Sequence, residues 1–254
     1  MKINTSSSKE FGDKASSVII ECAEARIAES GKFDLAICGG RMPIPIFNSL
    51  KDKYKNDDDL DWTKFNIFWI DDRFVPHDHG DSNYKLFIDH FAQDVKDVNC
   101  FPIPYSYDIE ECAASYEKII FEKVDIGANK IPCFDLVLIG VGDDGHIASL
   151  FPNSKELHYK GDKRVLTVLD PPFPHKRITF SLDVLNAAKE RIIGLKGARK
   201  IEIFNEINSN VNNSYPMKFL FDKNSKDYLI LLSLIHISEP TRQAEISYAV
   251  FCLK

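Results

Sequence analysis

The sequence predicts an α/β fold: a mostly parallel, open sheet covered by helices on both faces. Three observations predict it. The apolar runs are short, each is cut off by glycine or charge, and segments with helical spacing lie between them. Short apolar runs suit strands buried on both faces. Regular alternation of strand and helix implies crossover connections and hence parallel pairing.

In chain order, Val18, Ile19, Cys22, Ala23 and Ile27 mark one face of a helix before Gly31. Leu35–Cys38 reads as a strand stopped by Gly39 and Gly40. Pro43–Leu50 reads as a helix with proline in its first turn. Phe65–Ile70 is a second strand, stopped by Asp71 and Asp72. Ile109, Cys112, Ala113, Tyr116, Ile119 and Ile120 follow helical spacing. Leu136–Ile139 is a third strand, stopped by Gly140, and Val165–Leu169, Ile178–Phe180 and Ile192–Leu195 are later ones. No linker or internal repeat divides residues 1–231, which are expected to form a single domain.

A chain of 254 residues can bury a core large enough to need no disulfide or metal. Its net charge of -6 argues against nucleic acid as a partner, since phosphate backbones call for a basic face. Cys22, Cys38, Cys100, Cys112, Cys133 and Cys252 form no C-x-x-C pair and are expected to be mostly buried thiols in a reducing compartment. The N-terminal segment lacks the apolar centre of a signal peptide, and no apolar run is long enough to cross a membrane. A cytoplasmic location is expected, with no membrane partner.

Open α/β sheets bind ligands at the carboxyl ends of their strands. Three unusual clusters lie there. In Cys38-Gly39-Gly40-Arg41-Met42-Pro43, two glycines let backbone amides approach an anion, and Arg41 adds charge. In Asp71-Asp72-Arg73, followed by Asp81-Ser82-Asn83-Tyr84, Arg73 is suited to clamp a phosphate or carboxylate, or to pair with Asp71 or Asp72. In Gly140 to Pro152, glycines flank Asp143, Asp144 and His146. His146 is the candidate general base, and Asp144 the group that orients it or holds a water. His77 and His79 are read as part of a solvated loop, and His90, His158 and His175 have no visible partner.

These clusters resemble the 6-phosphogluconolactonase family. Gly140–Pro152 fits the family's Gly-x-Gly-x-Asp-Gly-His-x-Ala-Ser-Leu-Phe-Pro throughout. Asp71–Arg73, Val75-Pro76 and Asp81–Tyr84 match a second signature. Arg177-Ile178-Thr179 with Leu185–Ala188 matches another, and Gly197–Lys200 resembles Gly-Ala-x-Lys. A helical end near Tyr228 is also taken to fit. The chain departs from the pattern at Cys38, Arg41 and Met42, where the family has serine, serine and threonine, at Asp72, where glutamate is usual, and at Lys196, where threonine is common.

The resemblance implies a Rossmann-like fold of the deaminase and lactonase type. It implies hydrolysis of 6-phospho-D-glucono-1,5-lactone to 6-phospho-D-gluconate, in the oxidative pentose phosphate pathway, without cofactor or metal. His146 and Asp144 are then catalytic. Gly39, Gly40, Arg41, Asp71, Arg73, Arg177 and Lys200 are then substrate-binding. The expected partner is a small sugar-phosphate lactone, with the chain a monomer or weak homodimer. Two alternatives stand beside it. A related glucosamine-6-phosphate deaminase usually continues Gly-His-Ile-Ala-Phe-Asn-Glu-Pro, and Ser149–Pro152 lacks that glutamate. A non-catalytic sugar-phosphate sensor of transcription regulators would carry a helix-turn-helix, for which too little chain precedes Leu35.

Residues 232–254 are expected to be non-native. Ser233–Arg242 and Ile246–Leu253 can be encoded in one frame by two parts of a transposase-type sequencing-library adapter. Gln243–Glu245 fall where a sample index would lie, and Leu232 fits the same string. The segment is left out of fold reasoning. Sequencing the 3′ end from genomic DNA is expected to show no exon for Ser233–Lys254; finding one would overturn this assignment.

Overall fold

A computed structural model describes residues 1–56, 60–127, 130–209, 214–220 and 226–232. The expected non-native tail, apart from Leu232, lies outside the described residues. The order of elements is β1 (Lys2–Thr5), α1 (Ser8–Ser30), β2 (Phe33–Ile37), α2 (Ile44–Asn56), β3 (Phe65–Trp69), β4 (Asp71–Arg73), α3 (Asn83–Phe87) and β5 (Asn99–Phe101). It continues with α4 (Ile109–Lys123), β6 (Leu136–Gly140), β7 (Val165–Val168), β8 (Arg177–Phe180), α5 (Leu182–Ala187), β9 (Glu190–Lys196), α6 (Ala198–Asn208) and β10 (Lys226–Leu232).

Seven of these strands form one parallel sheet in the order β1-β10-β9-β6-β2-β3-β5. Its centre is the part that apolar runs predict: Leu35, Ile37, Ile67, Phe68, Leu136, Leu138 and Ile193 are all buried. Helix α1 starts where Ser7 accepts a hydrogen bond from the Glu10 amide at 3.1 Å, and it ends at Gly31, whose N–H reaches Ile27 O at 2.9 Å. It packs on α2, and both serve connections that step across the sheet in the same direction. The connections through α4 and α6 step the other way. Right-handed crossovers therefore place them on the opposite face. The reversal lies between β2 and β6, and a crevice opens beyond the ends of these strands.

Two expectations are corrected. Val165–Leu169 and Ile178–Phe180 do not join the covered parallel sheet. As β7 and β8 they make an antiparallel sheet with β4, in the order β4-β8-β7. The short return from Val168 to Arg177 permits only antiparallel pairing. Tyr228 is not at a helical end but in β10, between β1 and β9, with Tyr228 opposite Ile192 and Ile230 opposite Gly194. A run of buried apolar residues satisfies strand and helix periods alike, and only its neighbours decide. β10 also ends on Leu232, one residue past the expected domain limit. Among the described residues, no helix is long and apolar enough to cross a membrane. The described cysteines are unpaired, with Cys22, Cys38 and Cys112 buried and Cys100 and Cys133 partly so; Cys252 lies outside the described residues.

β3 and β4 are separated only by Ile70, so the chain passes from one sheet to the other within a residue. On one side Ile70 N–H bonds Ile37 O at 2.9 Å, and Phe180 N–H bonds Ile70 O at 2.8 Å. On the other side β5 pairs no further than Phe101 opposite Phe68. The hydroxyl of Tyr116, on α4, accepts from Trp69 N–H at 2.8 Å and donates to Trp69 O at 2.9 Å, replacing the missing strand. Burial pushes the Tyr116 phenol well above its ordinary pKa, so it remains both donor and acceptor. Tyr116→Phe leaves two buried backbone groups unmet, and a loss of roughly 1–3 kcal/mol is expected in urea denaturation. Unchanged stability would show that this hydroxyl does not hold the crossing.

Candidate active site

The crevice is a cavity of about 400 Å³ at the ends of β2, β6 and β9. Its first wall is the loop after β2. Gly39 is held against Asn83: a Cβ there would stand 1.7 Å from Asn83 Oδ1. Only glycine permits that approach. Cys38 also lines the cavity, but burial pushes its thiol up strongly, which keeps it neutral and unreactive. Arg41 follows at the mouth, exposed, with no carboxylate partner among the described residues.

The second wall is β4 and the turn into α3. The two acids of Asp71-Asp72-Arg73 have separate tasks. Asp72 caps α3: Oδ1 accepts from the amides of Arg73 and Asn83, each at 2.7 Å, and Oδ2 from Ser82 Oγ and Tyr84 N–H, each at 3.1 Å. Burial outweighs these bonds and raises its pKa to about 6. Asp71 lines the cavity, with Oδ2 accepting from Ser149 Oγ at 2.7 Å. Asn83 joins the pieces, donating from Nδ2 to Asp71 O at 2.8 Å and accepting from Arg73 Nη1 at 2.9 Å. Arg73 also donates to Asp81 O at 2.8 Å. Among the described residues it forms no ion pair with Asp71 or Asp72, contrary to the internal salt bridge weighed from sequence. Its guanidinium is held at the cavity by neutral acceptors and keeps its charge for a ligand.

The third wall is the loop after β6. His146 lines the cavity, and Asp144 stands behind it. Asp144 Oδ1 accepts from His146 Nδ1 at 2.6 Å and from the His146 amide at 3.1 Å. Burial disfavours the Asp144 carboxylate, but the bonds and charge of His146 outweigh it and hold the pKa below the ordinary value. An acceptor-only carboxylate on Nδ1 fixes the tautomer and leaves the Nε2 lone pair free. The ring folds back so closely that a Cβ on Gly142 would be 2.1 Å from Nδ1. Phe151 and Phe173 flank it at 4.9 and 5.7 Å between ring centroids.

The remaining charges come from β8, β9 and α6. Arg177 is buried, with its guanidinium 5.7 Å from the Phe151 ring centroid and 5.9 Å from that of Phe173. Its Nε has no hydrogen-bond partner among the described residues. Burial lowers its pKa, yet a guanidinium remains protonated at neutral pH. Lys200 reaches Asp143 Oδ1 at 2.9 Å, a pair too exposed to neutralise it. Lys196, at the end of β9, completes the set; burial, then the charges of Arg41 and Lys200, lower its pKa.

Eight of the nine residues singled out from sequence thus line one cavity: Gly39, Gly40, Arg41, Asp71, Arg73, His146, Arg177 and Lys200. Asp144, the ninth, supports His146 from outside it. Sequence reasoning missed Lys196 and Asn83 as site residues. Lys196 could have been found as the charged end of an apolar strand, and Asn83 as the polar centre of Asp-Ser-Asn-Tyr. Five cations therefore face one carboxylate inside a chain of net charge -6. Such a cavity selects an anionic ligand and presents it to an oriented imidazole. Arg177→Met should lower the affinity for a sugar phosphate about tenfold or more, as for a lost charged hydrogen bond. Calorimetric titration measures it, and an unchanged affinity would remove Arg177 from the binding site.

Comparison with known proteins agrees with this chemistry. Residues 6–230 match the family described as glucosamine-6-phosphate isomerases/6-phosphogluconolactonase. A probable 6-phosphogluconolactonase 2 of Oryza sativa subsp. indica is 34% identical over 204 residues, covering 77% of this chain and 72% of the relative. The 6-phosphogluconolactonase of Trypanosoma brucei superposes with a TM-score of 0.78 at 24% identity, over 91% of this chain and 96% of that one. A monomeric glucosamine-6-phosphate deaminase shares the fold with a TM-score of 0.74 at 18% identity, over 91% and 96%. With an acid-supported histidine and a ring of cations at the switch point of the same fold, this chain belongs to the family of glucosamine-6-phosphate isomerases and 6-phosphogluconolactonases.

Proposed function

We propose that the chain hydrolyses 6-phospho-D-glucono-1,5-lactone to 6-phospho-D-gluconate. One observation carries the reading beyond the family: His146, backed by Asp144 at 2.6 Å, opens its free nitrogen to a cavity lined by five cations. His146 Nε2 takes a proton from water as the oxygen attacks the ring carbonyl. Asp144 holds the imidazole and steadies the imidazolium. The tetrahedral intermediate then collapses, the bond from C1 to the ring oxygen breaks, and that oxygen takes the proton back from His146. One water is consumed and the ring opens. Arg73, with Arg177 or Lys200, grips the phosphate and holds the carbonyl near the base. Backbone amides around Gly39 and Gly40 serve the oxyanion or the phosphate.

The deaminase alternative meets a specific obstacle at Ser149 and Leu150. Ser149 Oγ is spent on Asp71, Leu150 is fully buried, and the glutamate of the deaminase pattern is absent. The acidic balance supports an enzyme that meets no nucleic acid, and the unpaired thiols among the described residues support a cytoplasmic one; it acts as a monomer or weak homodimer, without a membrane partner.

The test is hydrolysis of fresh lactone, with the spontaneous rate subtracted. His146→Ala should lower kcat by roughly 10²–10⁴-fold. Arg73→Ala should mainly raise KM. No hydrolysis by the folded wild type would overturn the proposal, and glucosamine 6-phosphate would be the next substrate to try.

A further inference from the structure

His79, Asp81 and His175 stand outside the chemistry above. His79 and Asp81 lie on the turn between β4 and α3, and His175 on the return between β7 and β8. His175 Nε2 is 2.9 Å from Asp81 Oδ2, and His79 Nδ1 is 3.9 Å from the same oxygen. The two rings meet edge to face with centroids 5.4 Å apart. One donor atom from each of the three residues lies within 4.8 Å of the others. His175 reaches this position from a left-handed backbone, with φ of 69°, which is costly for a residue other than glycine.

We propose that His79, Asp81 and His175 bind one transition-metal dication of the zinc class, which fastens the β7–β8 return to the turn before α3. Two imidazoles and a carboxylate suit zinc, cobalt or nickel rather than magnesium or calcium, which prefer oxygen donors alone. Donors around a tetrahedral zinc stand about 3.3 Å apart, given bonds of about 2.0 Å. The spacings of 2.9 and 3.9 Å bracket that value, so small side-chain rotations close the site. The side chains are 44%, 59% and 31% exposed for His79, Asp81 and His175, which leaves room for water as a fourth ligand. His79 Nδ1 accepts the Asp81 amide at 3.0 Å, so its lone pair already faces Asp81. A metal displaces that bond and the one between His175 Nε2 and Asp81 Oδ2, a small cost beside two metal–imidazole bonds.

The role is structural, and it holds whether or not the chain opens a lactone. Asp81 supplies the carbonyl that holds Arg73 at 2.8 Å. The segment that carries His175 also carries Phe173, which packs on His146 and lies near the Arg177 guanidinium. A metal at the triad therefore fixes the two loops that place both arginines.

The test is calorimetric titration of the full chain with zinc chloride, together with the visible absorption of added cobalt(II). One equivalent is expected to bind, with an affinity about tenfold or more lower in His79→Ala and in His175→Ala. Asp81→Asn should weaken binding in the same direction, and His158→Ala and His146→Ala should leave it unchanged. Thermal melts without metal confirm that each variant is folded. Absence of saturable binding, binding indifferent to His79 and His175, or binding lost in His146→Ala would each overturn the proposal.

Discussion

The hydroxyl of Tyr116 closes both backbone groups of Trp69 at the point where β5 has run out and the chain must leave the parallel sheet. The site depends on that departure. A strand continuing in the large sheet would not lie against β8. By crossing at Ile70 the chain enters a second sheet, where Asp71 pairs with Thr179 and Arg73 with Arg177. The two arginines are thus brought side by side by backbone register. Ionic attraction contributes nothing to that meeting, since like charges repel, and the hydrogen-bond ladder overrides the repulsion.

Charge is sorted rather than balanced. The acids near the cavity are mostly engaged with neutral donors: Asp72 with backbone amides and Ser82, Asp71 with Ser149. They stabilise turns without quenching the cations. Arg73 is likewise held by a carbonyl and an amide oxygen. A site built this way remains electropositive in an acidic protein, because its positive groups are anchored by dipoles instead of counter-charges. Asp144 and Asp143 are the exceptions: the carboxylate of Asp144 fixes an imidazole, and that of Asp143 pairs with Lys200 at the exposed edge.

Much of this was legible in the sequence, for physical reasons that differ by element. β2, β3 and β6 are buried on both faces, so their apolar runs announce them. Gly39 and Gly142 are visible because side chains crowd the places where a Cβ would go. The second sheet was not legible, since Ile178–Phe180 is as apolar as a strand of the first and only the partner decides. Tyr228 was misplaced because four successive buried-type residues, Tyr228 to Leu231, have no period to read. Asp72 was weighed as an ion-pair partner of Arg73 and is a helix cap, a role set largely by the amides of Asn83 and Tyr84, which arrive from more than ten residues away. His175 had no partner in sequence and acquires Asp81 only when two loops fold together.

The crowding at Gly39 has an evolutionary consequence. Asn83 fills the space where any larger residue at position 39 would place its first carbon, while bridging Asp71 and Arg73. Neither position can drift alone. A larger residue at 39 requires a smaller one at 83, and a smaller one at 83 releases the arginine. Across divergent sequences the pair should change together or not at all, which makes it a fixed point around which substitutions such as Arg41 and Lys196 can accumulate.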